Sequence, residues 1–301
     1  MAATIRGTGT RAAARAGGAV CESAPLSTFA LGEEHREETL AFLDARPVHT
    51  VFAAGCLRDN GVVSPLNRGR FHGCRDASGR LAGVALVGHA TLVEARSPAA
   101  VAALARAARG CASLQLVRGE VETVGTFWRH YAAAGRRPPR VWRELLYERD
   151  EPSADDDAGE ARELRRATAA DLDLVLAVND AMAFETCGVS PAGQDPVGFR
   201  VRTARRIEQG RVWVWREGGR LVFKADVVSE TPGAAYLEGV HVHPQDRGRG
   251  HGSRCLARLT RELLARTGVV CLTVLESSAA ARAFYEKSGY RFRCVYDTIY
   301  L

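Results

Sequence analysis

The chain runs twice through one order of elements, and that order limits its fold more than any other feature. In each half helices are followed by a meander of strands, a helix, a strand, a helix and a closing strand. Between the two runs lies "RDEPSADDDAGEARE" at 149–163, where Pro152 precedes Asp155, Asp156 and Asp157. Nothing in that stretch can be buried, and repulsion among the aspartates favours extension, so 151–160 reads as an acidic linker. The expected organisation is a disordered tail over 1–25, one domain over 26–150 and a second over 161–301. Helices interleaved with strands make the class α/β, with a mixed sheet. The repeated order suggests a distant duplication.

Local signals place the elements. In the first half "EEHREETLAFLDARP" sets Leu40 and Leu43 on one helical face, and Pro47 stops that helix. "RFHGCRDASGRLAGVALVGHATLVEA" reads as a hairpin around Asp76–Gly79 followed by a third strand. "SPAAVAALARAARG" is a helix with Ser97 as N-cap, Pro98 in its first turn and Gly110 just past its end. In the second half Thr168 and Asp171 are the capping residues of a helix over "TAADLDLVLAVNDAMAFE". "RTARRIEQG" is a second helix, and "RVWVWREGGRLVFKADVVSE" is a hairpin turning at Gly218–Gly219. Trp213 and Trp215 share one strand face, as core residues do. Leu256, Leu259 and Leu263 recur at helical spacing, and "GVVCLTVL" is apolar throughout, as a buried strand is.

Composition excludes several classes of function. With 46% hydrophobic and 25% charged residues the chain can build cores. No run approaches the roughly 20 apolar residues of a membrane helix, so no membrane span is expected. The net charge of +6 invites a nucleic-acid reading. Yet Lys224 and Lys287 are the two lysines, and arginine supplies the rest of the positive charge along the whole sequence, mixed with acids. That is a solvated surface, not a designed patch, and no nucleic-acid partner is expected. Eight cysteines stand singly with no CxxC pair, which removes the zinc-ribbon and thioredoxin readings and fits a reducing, cytoplasmic compartment. The leader lacks a continuous apolar core and is not a secretory signal.

The stretch "QDRGRGHGSRC" at 245–255 carries the chemistry. It follows a strand ended by Pro244 and precedes an amphipathic helix, with Gly248, Gly250 and Gly252 at alternate positions. Orphan N–H groups at a helix start point outward and bind phosphate, and glycines let phosphate approach the backbone. The spacing fits neither a Walker A loop nor a dinucleotide fingerprint. It fits [QR]xxGx[GA], here Gln245 to Gly250 directly after "VHVHP", and so resembles the acetyl-CoA pyrophosphate loop of the GCN5-related N-acetyltransferase (GNAT) superfamily. "SSAAARAFYEKSGYRF" resembles that superfamily's NxxAxxFYxxxGF segment, with Ser278 in place of asparagine and Ala281, Phe284, Tyr285, Gly289 and Phe292 in register. The resemblance covers about 165–301. The first half, through "FLDARPVHTVFAAGCLRDNG", resembles a domain that precedes this module in some bacterial proteins, a degenerate relative of the same fold without a QxxGxG loop.

The resemblance implies tandem GNAT-like folds, the C-terminal one catalytic around a splayed mixed sheet flanked by helices. It implies acetyl-CoA as cosubstrate and a small-molecule or peptide amine as acceptor, with a homodimer as one oligomeric option. Pantetheine would run along Val240, His241 and Val242, and Gly239 is placed for the bulge that parts two parallel strands. Gln245, Arg247, Gly248, Arg249, Gly250, His251 and Gly252 would meet the pyrophosphate, with Ser278 and Ala281 beside the cofactor. Tyr285 aligns with a general acid, and Glu238 is the first choice of base with Glu185 the second. Either carboxylate equally suits a surface ion pair. Thr273 stands where ribosomal-protein acetyltransferases of the family carry a glutamate, which counts against that substrate class. His241, His243 and His251 lack a fourth ligand, so no metal is expected. Arg254, Arg258 and Arg261 form a solvated helical stripe. A non-catalytic acyl-CoA sensor is the alternative reading.

Overall fold

Pro47 does more than stop a helix. Helix α1 (Arg36–Asp44) ends before it, and Pro47 is then the first residue of α2 (Pro47–Asn60), a helix that the sequence pattern did not reveal. Proline suits that position because a first-turn N–H has no intrahelical partner to lose. The computed structural model describes residues 26–152 and 161–301; the tail expected over 1–25 and most of the linker expected over 151–160 lie outside them.

The first half comprises β1 (Thr28–Ala30), α1, α2, β2 (Gly69–Arg75), β3 (Leu81–Gly88) and β4 (Ala90–Ala95). It continues with α3 (Pro98–Ala108), β5 (Leu116–Glu120), α4 (Val121–Tyr131) and β6 (Arg140–Arg149). The second half begins with β7 (Arg165–Arg166), α5 (Leu172–Cys187), α6 (Pro191–Gln194), α7 (Pro196–Glu208), β8 (Val212–Glu217) and β9 (Arg220–Glu230). It closes with β10 (Ala235–Val242), α8 (His251–Leu264), β11 (Val270–Leu275), α9 (Ala279–Lys287) and β12 (Arg291–Tyr300). The order of elements repeats as the sequence indicates, and Thr168 with Asp171 forms a capping box.

The twelve strands of the described residues join one sheet, in the order β1-β2-β3-β4-β5-β12-β6-β11-β10-β9-β8-β7. The two closing strands are exchanged. β6, which ends the first half, pairs antiparallel with β11 from Val270↔Arg149 to Leu275↔Glu144. β12, which ends the chain, pairs with β5 from Tyr296↔Glu120 to Tyr300↔Leu116. The boundary at 150–160 therefore divides the sequence but not the sheet: β6 belongs structurally with 161–301, and β12 with 26–150.

Each half contains one parallel pair that opens. β4 and β5 pair from Ala90↔Leu116 to Leu92↔Arg118 and then part. β10 and β11 pair from Ala235↔Val270 to Leu237↔Leu272 and then part. On one face of the second pair lies the main core, where Leu237, Phe223 and Leu272 meet Leu256, Leu259 and Leu263 of α8. The opposite face carries Tyr236, Cys271 and Leu146 and is covered by Val48 and Val51 of α2, a helix of the first half. α2 approaches closely because Gly55 faces Ser229; a Cβ there would stand well inside van der Waals contact with Ser229 Oγ, which donates 2.6 Å to the Val51 carbonyl.

Candidate active site

The opening between β10 and β11 has a local cause. Glu238 pairs across β9 with Asp226 and His241 with Lys224, so two residues of β10 stand against one of β9. Gly239 sits in this bulge at φ +59°, a conformation that disfavours any side chain. Beneath it Lys224 is fully buried, and its Nζ donates to Asp226 Oδ2 at 2.6 Å and to Asn179 Oδ1 of α5 at 2.5 Å. Arg206 of α7 donates to the same Asp226 oxygen at 3.2 Å, while Asp226 Oδ1 has no partner among the described residues. Burial pulls the Lys224 pKa down and Asp226 opposes it. Half-buried His241 is pushed down to about 4, first by burial and then by Arg247 and Lys224, so it is neutral at neutral pH.

The glycine-rich loop is fixed from within. Asp246, buried, accepts from Arg220 at 3.0 and 3.2 Å and from Arg249 at 3.4 Å. Arg247 turns back to the Val242 carbonyl at 3.1 Å, and Gln245 is exposed. Gly248 and Gly250 have φ +75° and +78° with open space where a Cβ would stand. Gly250 is the N-cap of α8 and offers no side chain to its first-turn N–H groups. Those groups and the helix dipole are what a phosphate uses. Gly252 serves a different need: its Cβ would lie 2.8 Å from Val242 and 3.2 Å from Phe284, so glycine lets α8 close on β10 and α9. His251 meets Trp215 edge-on at 4.6 Å and Arg254 at 2.7 Å.

The far wall is β11 with α9. Ser278 precedes α9 and its side chain makes no cap bond, while Ala281 and Phe284 pack against the core. Tyr285 is buried with its ring 5.3 Å from Phe284 and 6.0 Å from Tyr290. Burial, with Tyr236 adding to it, raises the Tyr285 pKa well above the ordinary phenol range, so the group is protonated and able to donate. Its hydroxyl makes no hydrogen bond among the described residues. Glu238, exposed at the mouth, interacts electrostatically with Tyr236 and Lys224. Glu185 is exposed near the end of α5, and no hydrogen bond or ion pair among the described residues joins it to Glu238 or Tyr285.

A cluster that the sequence pattern did not reveal lies at the apex of this slot. Arg118 of β5 directs Nη2 to Tyr236 Oη at 2.8 Å, to Glu144 Oε1 of β6 at 3.1 Å and to Thr273 Oγ1 of β11. Tyr236 and Thr273 hydroxyls are 2.8 Å apart, and Thr273 donates to Glu144 at 2.8 Å. In the other half the space between β4 and β5 is bridged by Arg46, which bonds Glu94 at 3.2 and 3.3 Å and Glu120 at 2.8 Å. There His49, Glu120 and Cys294 form the one group at metal-ligand spacing among the described residues. Arg46 on Glu120 and Arg293 on His49 set positive charge where a cation would sit, and burial raises the Cys294 thiol to about 11.

A strand-loop-helix turn with open glycines thus lies beside a glycine-bulged, open parallel pair, and residues 208–292 match the family model for an acetyltransferase (GNAT) domain. The second half carries a GNAT domain. Solved structures extend the likeness of fold to most of the chain. A Drosophila protein aligns at TM-score 0.63 and 14% identity over 91% of this chain and 98% of its own. A tandem GNAT protein from the clavulanic acid biosynthesis pathway aligns at TM-score 0.56 and 16% identity over 91% and 98%. A GNAT-family acetyltransferase from Colwellia psychrerythraea aligns at 0.54 and 13% over 92% and 99%. No curated protein matches the sequence. The GNAT domain and the tandem fold are thus as the sequence motifs indicated. No helix among the described residues is long and apolar enough to cross a membrane.

Proposed function

We propose that the chain is an acetyl-CoA-dependent N-acetyltransferase that moves the acetyl group directly to a primary amine, a small molecule or a peptide. The observation that carries this reading is the slot: the Gly239 bulge parts β10 from β11 just before a loop whose Gly248 and Gly250 leave room for phosphate. Backbone groups of Val240, His241 and Val242 hold the pantetheine arm. The N–H groups from Arg247 to Gly252 hold the pyrophosphate, with Arg249, His251 and Gln245 at its rim and Ser278 and Ala281 along the far wall. Bound there, acetyl-CoA supplies the acetyl group as a thioester.

Glu238 takes the proton of the attacking amine, directly or through water, at the mouth where it is exposed. Tyr285, held protonated by burial, donates to the departing sulfur. Glu185, exposed near the end of α5, is the second choice of base. The test is thiol release by purified protein with acetyl-CoA across a panel of amines. Turnover that Tyr285→Phe lowers while acetyl-CoA binding persists supports the reading. Tight acetyl-CoA binding with no turnover on any amine favours the non-catalytic acyl-CoA sensor instead.

A further inference from the structure

We propose that Arg118, supplied by the first half of the chain, is a positioning residue for the acyl transfer assigned to the second half. The inference rests on the acetyltransferase reading above. β10 and β11 last pair at Leu237↔Leu272. Tyr236 stands one residue before that point and Thr273 one residue after it, on the face turned toward α2. Their hydroxyls meet at 2.8 Å and both accept from Arg118 Nη2, so one guanidinium spans the apex of the slot. Glu144 balances its charge, and Thr298 fixes the second Glu144 oxygen at 2.7 Å. The two walls that diverge from this apex carry Glu238 on one side and lead to Tyr285 on the other. A shift of about 1 Å between reacting groups costs on the order of a hundredfold in rate.

Two features separate Arg118 from a plain strut. Its Nη1 and Nε make no hydrogen bond among the described residues, although Nε is buried. The residue also lines, with Thr50, Phe52 and Tyr236, a cavity of about 50 Å³ beneath α2. The carboxylate of Glu238 interacts electrostatically with Arg118, which couples the residue to the proposed base.

The experiment compares Arg118→Met, Arg118→Lys and Tyr236→Phe with the wild type in the full chain. Tyr236→Phe cuts the same link without uncovering Glu144, and it decides the matter if Arg118→Met does not fold. Expected is a kcat at least about tenfold lower in Arg118→Met, with the acceptor KM and the calorimetric acetyl-CoA affinity within about threefold of wild type. Arg118→Lys recovers part of kcat, and Tyr236→Phe lowers it in the same sense. Wild-type kcat in folded Arg118→Met and in Tyr236→Phe overturns the proposal. So does a loss of kcat that merely follows lost acetyl-CoA affinity and is not eased by lysine. A wild type that binds acetyl-CoA but acetylates nothing overturns the acetyltransferase reading and Arg118 with it, whereas an active wild type with an indifferent Arg118 overturns Arg118 alone.

Discussion

Tyr285 is a phenol kept protonated by its burial, with no acceptor for its proton among the described residues. Replacing it by phenylalanine keeps the ring contacts with Phe284 and Tyr290 and removes the donor alone. The expected result is a kcat about 10²- to 10⁴-fold lower, the span of a lost general acid, with an unchanged melting temperature and acetyl-CoA affinity. Steady-state thiol release and calorimetry check it. Gly239 is the second informative residue, because its φ of +59° excludes a side chain, as does the buried Lys224 Nζ, 2.7 Å from where a Cβ would stand. Gly239→Ala should lose about 1–3 kcal/mol in chemical denaturation, since a left-handed residue is strained and the Lys224–Asp226 pair must shift. Wild-type stability in that variant would mean the bulge relaxes freely. The positive-φ glycines were legible in the sequence because each answers a local rule of the backbone. Arg118, Glu144 and Thr273 were not legible as a cluster, because they meet only after β5, β6 and β11 are brought side by side. Lys224 left a faint signal: it is one of two lysines in an arginine-rich chain, and it stands between Phe223 and Ala225 in the middle of a strand.

Elements divide the same way. The α8 helix and its loop follow from sequence, since Cys255, Leu256, Leu259 and Leu263 form a fully buried stripe and Gly250 begins the helix. α2 escaped notice because a proline that ends one helix gives the same signal when it begins the next. At the loop, Gly248→Val and Gly252→Val should fail differently. The first strains a positive φ where cofactor phosphate would lie and should weaken acetyl-CoA binding about tenfold or more with little loss of stability. The second wedges α8 off Val242 and Phe284 and should lower the melting temperature as well. Calorimetry beside a thermal melt separates the two, and equal effects on both variants would contradict the assignment. The entry to α5 gives a pH prediction. The Arg165 hydrogen bond, aided by the Thr168 backbone, depresses Asp171 to about 2 against an ordinary value near 3.9. The stability it contributes is full above about pH 4 and is lost as pH falls from there through 2. Asp171→Asn, which removes the charge that Arg165 pairs with, should cost about 1–2 kcal/mol at neutral pH and flatten the stability curve in that window; an unaltered curve would show the pair to be idle.

At the scale of the whole molecule the exchanged strands set what can exist alone. A sequence divided at its acidic linker implies two modules, but the register of β6 and β12 depends on strands more than a hundred residues away, which no local pattern encodes. Residues 161–301 by themselves lack β6, so the whole length of β11 becomes an unpaired edge in the middle of the core. Leu145 and Tyr147 leave the main core, Leu146 leaves the face under α2, and the 2.7 Å bond from Tyr147 to Glu286 of α9 is lost. Val48 and Val51 of α2 no longer cover Tyr236 and Cys271. An apolar strand left open at its edge is a template for association. Expressed alone, 161–301 should therefore aggregate or melt without cooperativity and should not bind acetyl-CoA. Co-expressed with a separate chain ending at residue 152, it should be recovered as a two-chain complex that binds acetyl-CoA like the intact protein, because β6 and β12 interlock without needing the linker. Size-exclusion chromatography, a thermal melt and calorimetry read all three properties. A free 161–301 that melts cooperatively and binds acetyl-CoA at wild-type affinity would show that the GNAT domain closes its own sheet, and that the first half, Arg118 included, is dispensable to the slot.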